Sequence, residues 1–449
     1  MGADPRRPAS VRGLPLPTPS VANAATRKDR PVGLVRHPAR NDRLAGPPSV
    51  TKLERLSRLP AATFARHVDR LRYPVVAGHA SNPDVQCCGS YADVGITCTI
   101  NAMAQQSNTA TGGLLERLRA GAVICAEGYL FECERRGYLQ AGAFVPEVVL
   151  DHPEVLEQLH RDLVHAGSDV VQAFTYYGHR EKLRLIGKEE LLEPLNRQAL
   201  AIASRVARET GSLLAGNLSN TNLYDEDDTS HRTVRAMFEE QAGWAAEAGV
   251  DFIIAETLDF GGEAVLALEA TQAVELPAVV TFAIHRDGTL RDGFTPEEGC
   301  QRLEAAGADV VGLNCARGPR TMLPLLTRIR DVVNGHMAAL PVPYRTTGEE
   351  PTFQSLSDPE LELPPFPTRL DPFVCTRDEI GEFGIRAYDL GIRYLGVCCG
   401  AGPHHIRSLA EALGRRPPAS RYSPDMSKHA FLGTDPSLKE LNREYASRL

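Results

Sequence analysis

The chain has 449 residues, 43% of them hydrophobic and 24% charged, with a net charge of −8. That composition suits a globular protein of one large domain with appendages, and no run of about 18 apolar residues offers a membrane span. The charge is uneven: residues 1–80 carry +10 and the remainder −18, which argues against nucleic-acid binding by the main body.

In chain order, residues 1–48 are rich in Pro, Arg and Ala and are expected to be a disordered basic extension, because they offer little periodic apolar surface to bury. Asp4 and the many prolines argue against an amphipathic targeting helix, and the N-terminus lacks the apolar core of a secretion signal. Residues 49–72 suggest a short basic helix. Residues 73–110 contain Cys87, Cys88 and Cys98 and carry no assignable role. A bridge such as Cys87–Cys98 stays open. With ten cysteines spread over the chain, a reducing, cytoplasmic setting is the expectation, the thiols serving as ligands or core residues.

From about residue 113 strand-like runs alternate with amphipathic helices. The predicted strands are 122–128, 168–176, 212–219, 251–257, 277–284, 309–315, 337–342 and 392–399. They are apolar on both faces, as buried parallel strands must be. Predicted helices include 149–166, 189–209, 230–248, 296–307 and 378–390. Several end in Ala-Gly-X-Asp, where glycine suits a left-handed cap before the next strand. Eight such units predict the α/β class and a closed (β/α)8 TIM-type barrel over 111–414, with 1–110 as N-terminal extension. An open doubly wound sheet is the alternative. A Pro-, Glu- and Thr-rich insert at 343–372 falls between strands seven and eight, on the face where barrel loops carry function. The tail, 415–449, is a candidate contact with a second copy.

Two of these strands end in thiols. Gly312-Leu313-Asn314-Cys315 closes the sixth and Gly396-Val397-Cys398-Cys399-Gly400 closes the eighth. Strands six and eight lie two apart around a barrel, so Cys315, Cys398 and Cys399 can converge on one metal ion and leave a fourth position free, as in a catalytic zinc site. The alternative is three buried apolar thiols, since Cys is among the most buried residues. Glu256 ends the fourth strand, a functional position in barrels. Phe144, Tyr176 and Tyr177 follow the first two strands and are candidates to face a cation. Asn217 and Asn314 are candidates to orient a substrate or the metal shell. His404 and His405 start a helix after the thiols, and three sulfurs plus a substrate already fill a tetrahedron.

These motifs resemble those of the homocysteine S-methyltransferase family, nearest to its betaine-dependent members. The resemblance runs over about 113–410 and includes Glu134-Arg135-Arg136-Gly137-Tyr138, Gln172 to Tyr177, Phe252 to Glu256 and Pro403 to Arg407. It implies Zn2+ as cofactor, with a small-molecule thiol acceptor and an onium methyl donor as partners. The metal deprotonates the acceptor's thiol, which takes the methyl group and gives methionine. It also implies that Glu256 contacts the amino group of homocysteine. The family's Asp-Gly-Gly after strand one is replaced here by Ala126-Glu127-Gly128, so Glu127 either takes over the carboxylate's place or points elsewhere. Phe144 and Thr257 stand where the betaine enzymes place Trp and Tyr, a change that suits a sulfonium donor equally well. Two other readings stay open: a different thiol acceptor, and a non-catalytic zinc-holding barrel used for assembly.

Overall fold

The computed structural model describes residues 112–446 and Arg448. The expectations for residues 1–110, including the Cys87–Cys98 bridge and a helix over 49–72, lie outside these residues. Eight strands close into one parallel barrel in chain order: β1 (Val123–Ala126), β2 (Val170–Gln172), β3 (Leu213–Ser219), β4 (Phe252–Leu258), β5 (Ala278–Phe282), β6 (Val310–Asn314), β7 (His336–Leu340) and β8 (Tyr394–Val397). The barrel shuts where β8 meets β1, with Ile124 opposite Leu395 and Ala126 opposite Val397. Helices separate the strands, so the barrel is of the (β/α)8 kind and the open sheet is excluded. Among the described residues no helix is long and apolar enough to cross a membrane.

Every strand residue except His336 and Thr257 is buried, which is why these runs read as unbroken apolar stretches. The recurrent Ala-Gly-X-Asp has a physical cause in two parts. Its glycine turns the chain out of the helix in the left-handed region, as Gly307 does at φ 93°. Its aspartate then reaches sideways to the strand before it. Asp169 accepts the Ile124 N–H at 2.8 Å, Asp251 the Leu214 N–H at 2.7 Å and Asp309 the Ala278 N–H at 2.9 Å. These latches lie at the N-terminal end of the barrel, opposite the thiols.

The helix expected over 149–166 is two helices, Val148–Asp151 and Pro153–Ala166. His152 leaves the helical region at φ −141° because Pro153 follows it and opens the next helix, where its missing N–H costs nothing. The segment predicted at 189–209 begins as a 3-10 turn, Glu189–Leu191, and continues as Leu192–Thr210.

The insert between β7 and β8 folds back over the C-terminal end of the barrel. Phe353 donates its N–H to the Ala316 carbonyl at 2.8 Å, one residue past Cys315. Its ring stacks on Tyr344 at 5.8 Å and meets Phe366 at 5.0 Å and Phe131 at 6.0 Å. The tail is joined to the barrel by Arg415, which pairs with Asp169 at 2.6 Å. Beyond that it exposes Tyr422, Leu432 and Leu441.

Candidate metal centre

Cys315 is the first residue after β6, and Cys398 and Cys399 are the first two after β8. Their sulfurs all lie within 4.8 Å of one another and all three residues are buried. Adjacent side chains on a strand point to opposite faces, so Cys398 and Cys399 converge only because the chain turns there. The Cys398 N–H is held by the Pro341 carbonyl at 2.9 Å, and the Ala401 N–H returns to the Cys398 carbonyl at 3.0 Å. Gly400 makes the turn at φ 92°, and the two sulfurs end 3.8 Å apart. Cys315 itself sits at φ 54° and Ala316 at φ 51°, a strained pair anchored by the Cys315 N–H on the Leu340 carbonyl at 2.9 Å. Such conformations cost about 1–3 kcal/mol each and survive where the surroundings enforce them. Hydrogen bonding from Cys398 and Cys399 holds the Cys315 thiol well below the ordinary range, while burial and then Cys315 push the Cys398 thiol up and Cys315 pushes the Cys399 thiol up. Three soft donors in a buried cluster suit a borderline-soft divalent ion.

A second cluster abuts the first. Glu127 and Glu256 bring carboxylate oxygens within 4.8 Å of each other and of the Cys398 sulfur. Glu127 therefore points into the site rather than away from it; β1 ends at Ala126, so strand alternation no longer dictates its direction. Glu256 is held by the side chains of Gln172 and Asn217, each donating to Oε1 at 2.6 Å. Asn314 supplies the junction. Its Nδ2 donates to Glu256 Oε2 at 3.0 Å, Thr257 Oγ1 at 2.9 Å and Glu127 Oε2 at 3.2 Å, and lies 3.8 Å from the Cys398 sulfur. Its Oδ1 accepts the Thr257 N–H at 2.8 Å. Burial pushes Glu256 up to about 7, and burial together with the Glu256 charge pushes Glu127 up as well. Two buried oxygens at this spot, Glu127 Oε1 and Asn217 Oδ1, have no hydrogen-bond partner within the protein. Buried polar atoms are normally paired, so unpaired acceptors beside two carboxylates point to a donor-rich, cationic ligand.

The aromatic candidates divide. Burial, then Tyr177, Cys399 and Cys315, push the Tyr176 hydroxyl up. Tyr177, at φ 59°, packs on Tyr176 with ring centroids 4.4 Å apart, and the Lys182 ammonium already lies 3.9 Å from its ring centre. Phe144, at φ 56°, joins the aromatic cluster under the insert through Phe131 at 5.9 Å. His405 is engaged elsewhere, its Nδ1 accepting the Gly402 N–H at 3.1 Å.

Sequence reasoning missed Gln172, and it passed over Thr257 as a contact. Gln172 does carry a signal, being the polar residue inside the apolar run Val170 to Phe174 of a barrel strand. Thr257 stands out only by its backbone, a β-branched residue at φ 60°.

A closed (β/α)8 barrel with three buried thiols and a carboxylate pair at the C-terminal ends of its strands has the layout on which barrel enzymes build their sites. A sequence model of the homocysteine S-methyltransferase family matches residues 112–413. Betaine–homocysteine S-methyltransferase 1 of Xenopus tropicalis is 36% identical over 334 residues, covering 72% of this chain and 80% of that protein. The S-methylmethionine–homocysteine S-methyltransferase of Mus musculus is 35% identical over 349 residues, covering 76% and 94%. Among solved structures, the homocysteine methyltransferase MmuM of Escherichia coli shares the fold, with a TM-score of 0.51 and 18% identity over 64% of this chain and 94% of that one. The chain belongs to the homocysteine S-methyltransferase family and is a methyltransferase.

Proposed function

We propose that this protein moves a methyl group from an onium donor, betaine-like or sulfonium, to the thiol of homocysteine, giving methionine, with Zn2+ held by Cys315, Cys398 and Cys399. The observation that carries the reading is the convergence of three buried sulfurs beside a buried carboxylate pair with an unpartnered oxygen. The donor set fits the ion: three thiolates leave tetrahedral zinc one open position. When bound, zinc supplies a site that stabilises the deprotonated form of an incoming thiol.

The protein's residues do the rest by binding and orientation. Glu256 and Glu127 bind the acceptor's ammonium, and Glu127 Oε1 and Asn217 Oδ1 accept its N–H groups. Gln172, Asn217 and Asn314 hold the Glu256 carboxylate in place from three sides. This arrangement fixes the acceptor by its amino end, so its thiol reaches the cysteines. Tyr176, backed by Tyr177, and Phe144 from the cluster under the insert offer aromatic surface to the donor's cation, an attraction of about 0.5–2 kcal/mol per ring. Phe353, whose N–H is held by the Ala316 carbonyl and whose ring meets Phe366, puts buried apolar surface beside the Cys315 segment. The donor leaves as a neutral amine or sulfide, so no protein acid is needed to protonate it.

The test is a donor panel on zinc-loaded protein with homocysteine as acceptor: a betaine, S-methylmethionine and S-adenosylmethionine. Methionine formed from at least one donor, and lost in Cys315→Ala, supports the reading. Stoichiometric zinc with no turnover from any donor overturns it in favour of a metal-holding scaffold. Among the described residues the cysteines are free thiols, in keeping with a reducing compartment, and we place the protein in the cytoplasm. The exposed apolar side chains of the tail support a homo-oligomer, and sedimentation of the full chain as a monomer refutes that part.

A further inference from the structure

The turn that carries Cys399 is gripped from outside the metal pocket. Arg135 ends the helix Tyr129–Arg135 that follows β1. One arm of its guanidinium donates to the Gly400 carbonyl at 2.9 Å and the other to the Tyr344 hydroxyl at 2.8 Å. Tyr344 belongs to the insert after β7 and is fully buried. Its hydroxyl lies against the Gly400 α-carbon so closely that a Cβ there would be 2.2 Å from it. The start of the same helix touches the next peptide: a Cβ on Gly128 would lie 2.2 Å from the Ala401 carbonyl oxygen. One helix therefore holds the Gly400–Ala401 backbone at both of its ends, and the insert closes the third side.

The three thiols are not equally secured by the barrel. Cys315 and Cys398 each sit at the first position past a strand, with N–H groups on the Leu340 and Pro341 carbonyls at 2.9 Å. Cys399 lies one residue further out, and its direction follows the left-handed turn at Gly400. We propose that Arg135 and Tyr344 are positioning residues of the metal centre, holding the Gly400 turn so that the Cys399 sulfur meets the same ion as Cys315 and Cys398. Neither touches substrate; both act through the Gly400 peptide. Outer partners of this kind typically contribute 10–100-fold to metal affinity. The inference rests on the three-thiol zinc reading above.

The experiment compares parent, Arg135→Gln, Arg135→Lys, Tyr344→Phe and Arg136→Gln as full chains. Zinc retention is measured by chelator competition, absorption is recorded with Co2+ in place of zinc, and thermal unfolding is followed on metal-free protein. Arg135→Gln and Tyr344→Phe are expected to hold zinc about 10–100-fold more weakly. Their sulfur-to-cobalt charge-transfer absorption per metal should also be weaker, while the metal-free proteins unfold near the parent's temperature. Arg135→Lys, able to keep one of the two bonds, should fall between. Arg136→Gln, which loses only a pairing with Glu132 one helical turn away, should match the parent. Parental affinity and cobalt spectrum in both Arg135→Gln and Tyr344→Phe overturn the clamp. So does a loss confined to metal-free stability with the spectrum unchanged. A parent that retains no metal sinks the three-thiol reading itself, a result distinct from equal retention by parent and variants.

Discussion

Replacing Asn314 with alanine tests the junction between the thiols and the carboxylates. The residue is fully buried, and its amide is shared among Glu256, Thr257 and Glu127. Its two N–H groups make two good donor bonds at a time, and its oxygen takes the Thr257 N–H at 2.8 Å. Loss of a bond to a charged group costs about 1.5–3 kcal/mol and of a neutral one about 1, and an abandoned buried donor adds about 1–3. Allowing for overlap between these, Asn314→Ala should destabilise the fold by about 3–5 kcal/mol, well above the ~1 kcal/mol of an ordinary substitution. It should also raise the acceptor's KM, because the two carboxylates lose the donor they share. Asn314→Asp separates hydrogen bonding from volume: it keeps the acceptor for Thr257, removes both donors and adds a third buried carboxyl, so it should be at least as damaging. Equilibrium urea unfolding at pH 7.5 and acceptor saturation curves on zinc-loaded protein read the two effects. Destabilisation below about 1 kcal/mol with an unchanged KM would refute the reasoning.

Three further outcomes are expected. Glu127→Gln should raise the acceptor's KM by about tenfold or more, the scale of a lost charge-assisted bond, while leaving zinc content unchanged; an unaltered KM returns Glu127 to a structural role. Cys398→Ser should abolish stoichiometric zinc while leaving a folded barrel by circular dichroism, and full zinc occupancy would show that this sulfur is not a ligand. His160 is fully buried and its imidazole is pushed down to about 3 by burial. Its folded value lies below the unfolded value of about 6.5, so its contribution to stability is complete above that pH and is lost as pH falls towards 3. His160→Phe retains an edge-on contact with Tyr129, now 4.9 Å from the imidazole, and removes that titration. Between pH 6.5 and 5 the parent should lose about 1.6 kcal/mol more than the variant, and parallel stability curves would contradict this.

The barrel was legible because its strands obey a one-dimensional rule: both faces buried, so each reads as an apolar run closed by a glycine-bearing turn. Cys315 and the Cys398–Cys399 pair stood out for the same reason, as polarisable residues where such runs stop. What escaped was three-dimensional. The direction of Glu127 depends on the chain leaving β1 after Ala126, and no periodicity reports where a strand's pairing ceases. The Lys182 ammonium over the Tyr177 ring and the reach of Arg135 to Tyr344 and Gly400 join segments that share no local pattern. His152 was readable in retrospect, since the residue before a proline avoids the helical region.

The aspartate latches at the far end of the barrel are not evenly spread around the ring. Asp169 ties β2 to β1, Asp251 ties β4 to β3 and Asp309 ties β6 to β5, each through a side chain. Between these pairs the contact at the same level runs through main-chain groups, as where the Leu213 N–H meets the Asp169 carbonyl at 2.9 Å. The cylinder is thus stitched as couples. A cut in the connection at 274–277 would leave each aspartate latch to a strand within one piece, with the Arg415–Asp169 pair among the ties that rejoin two complementing halves.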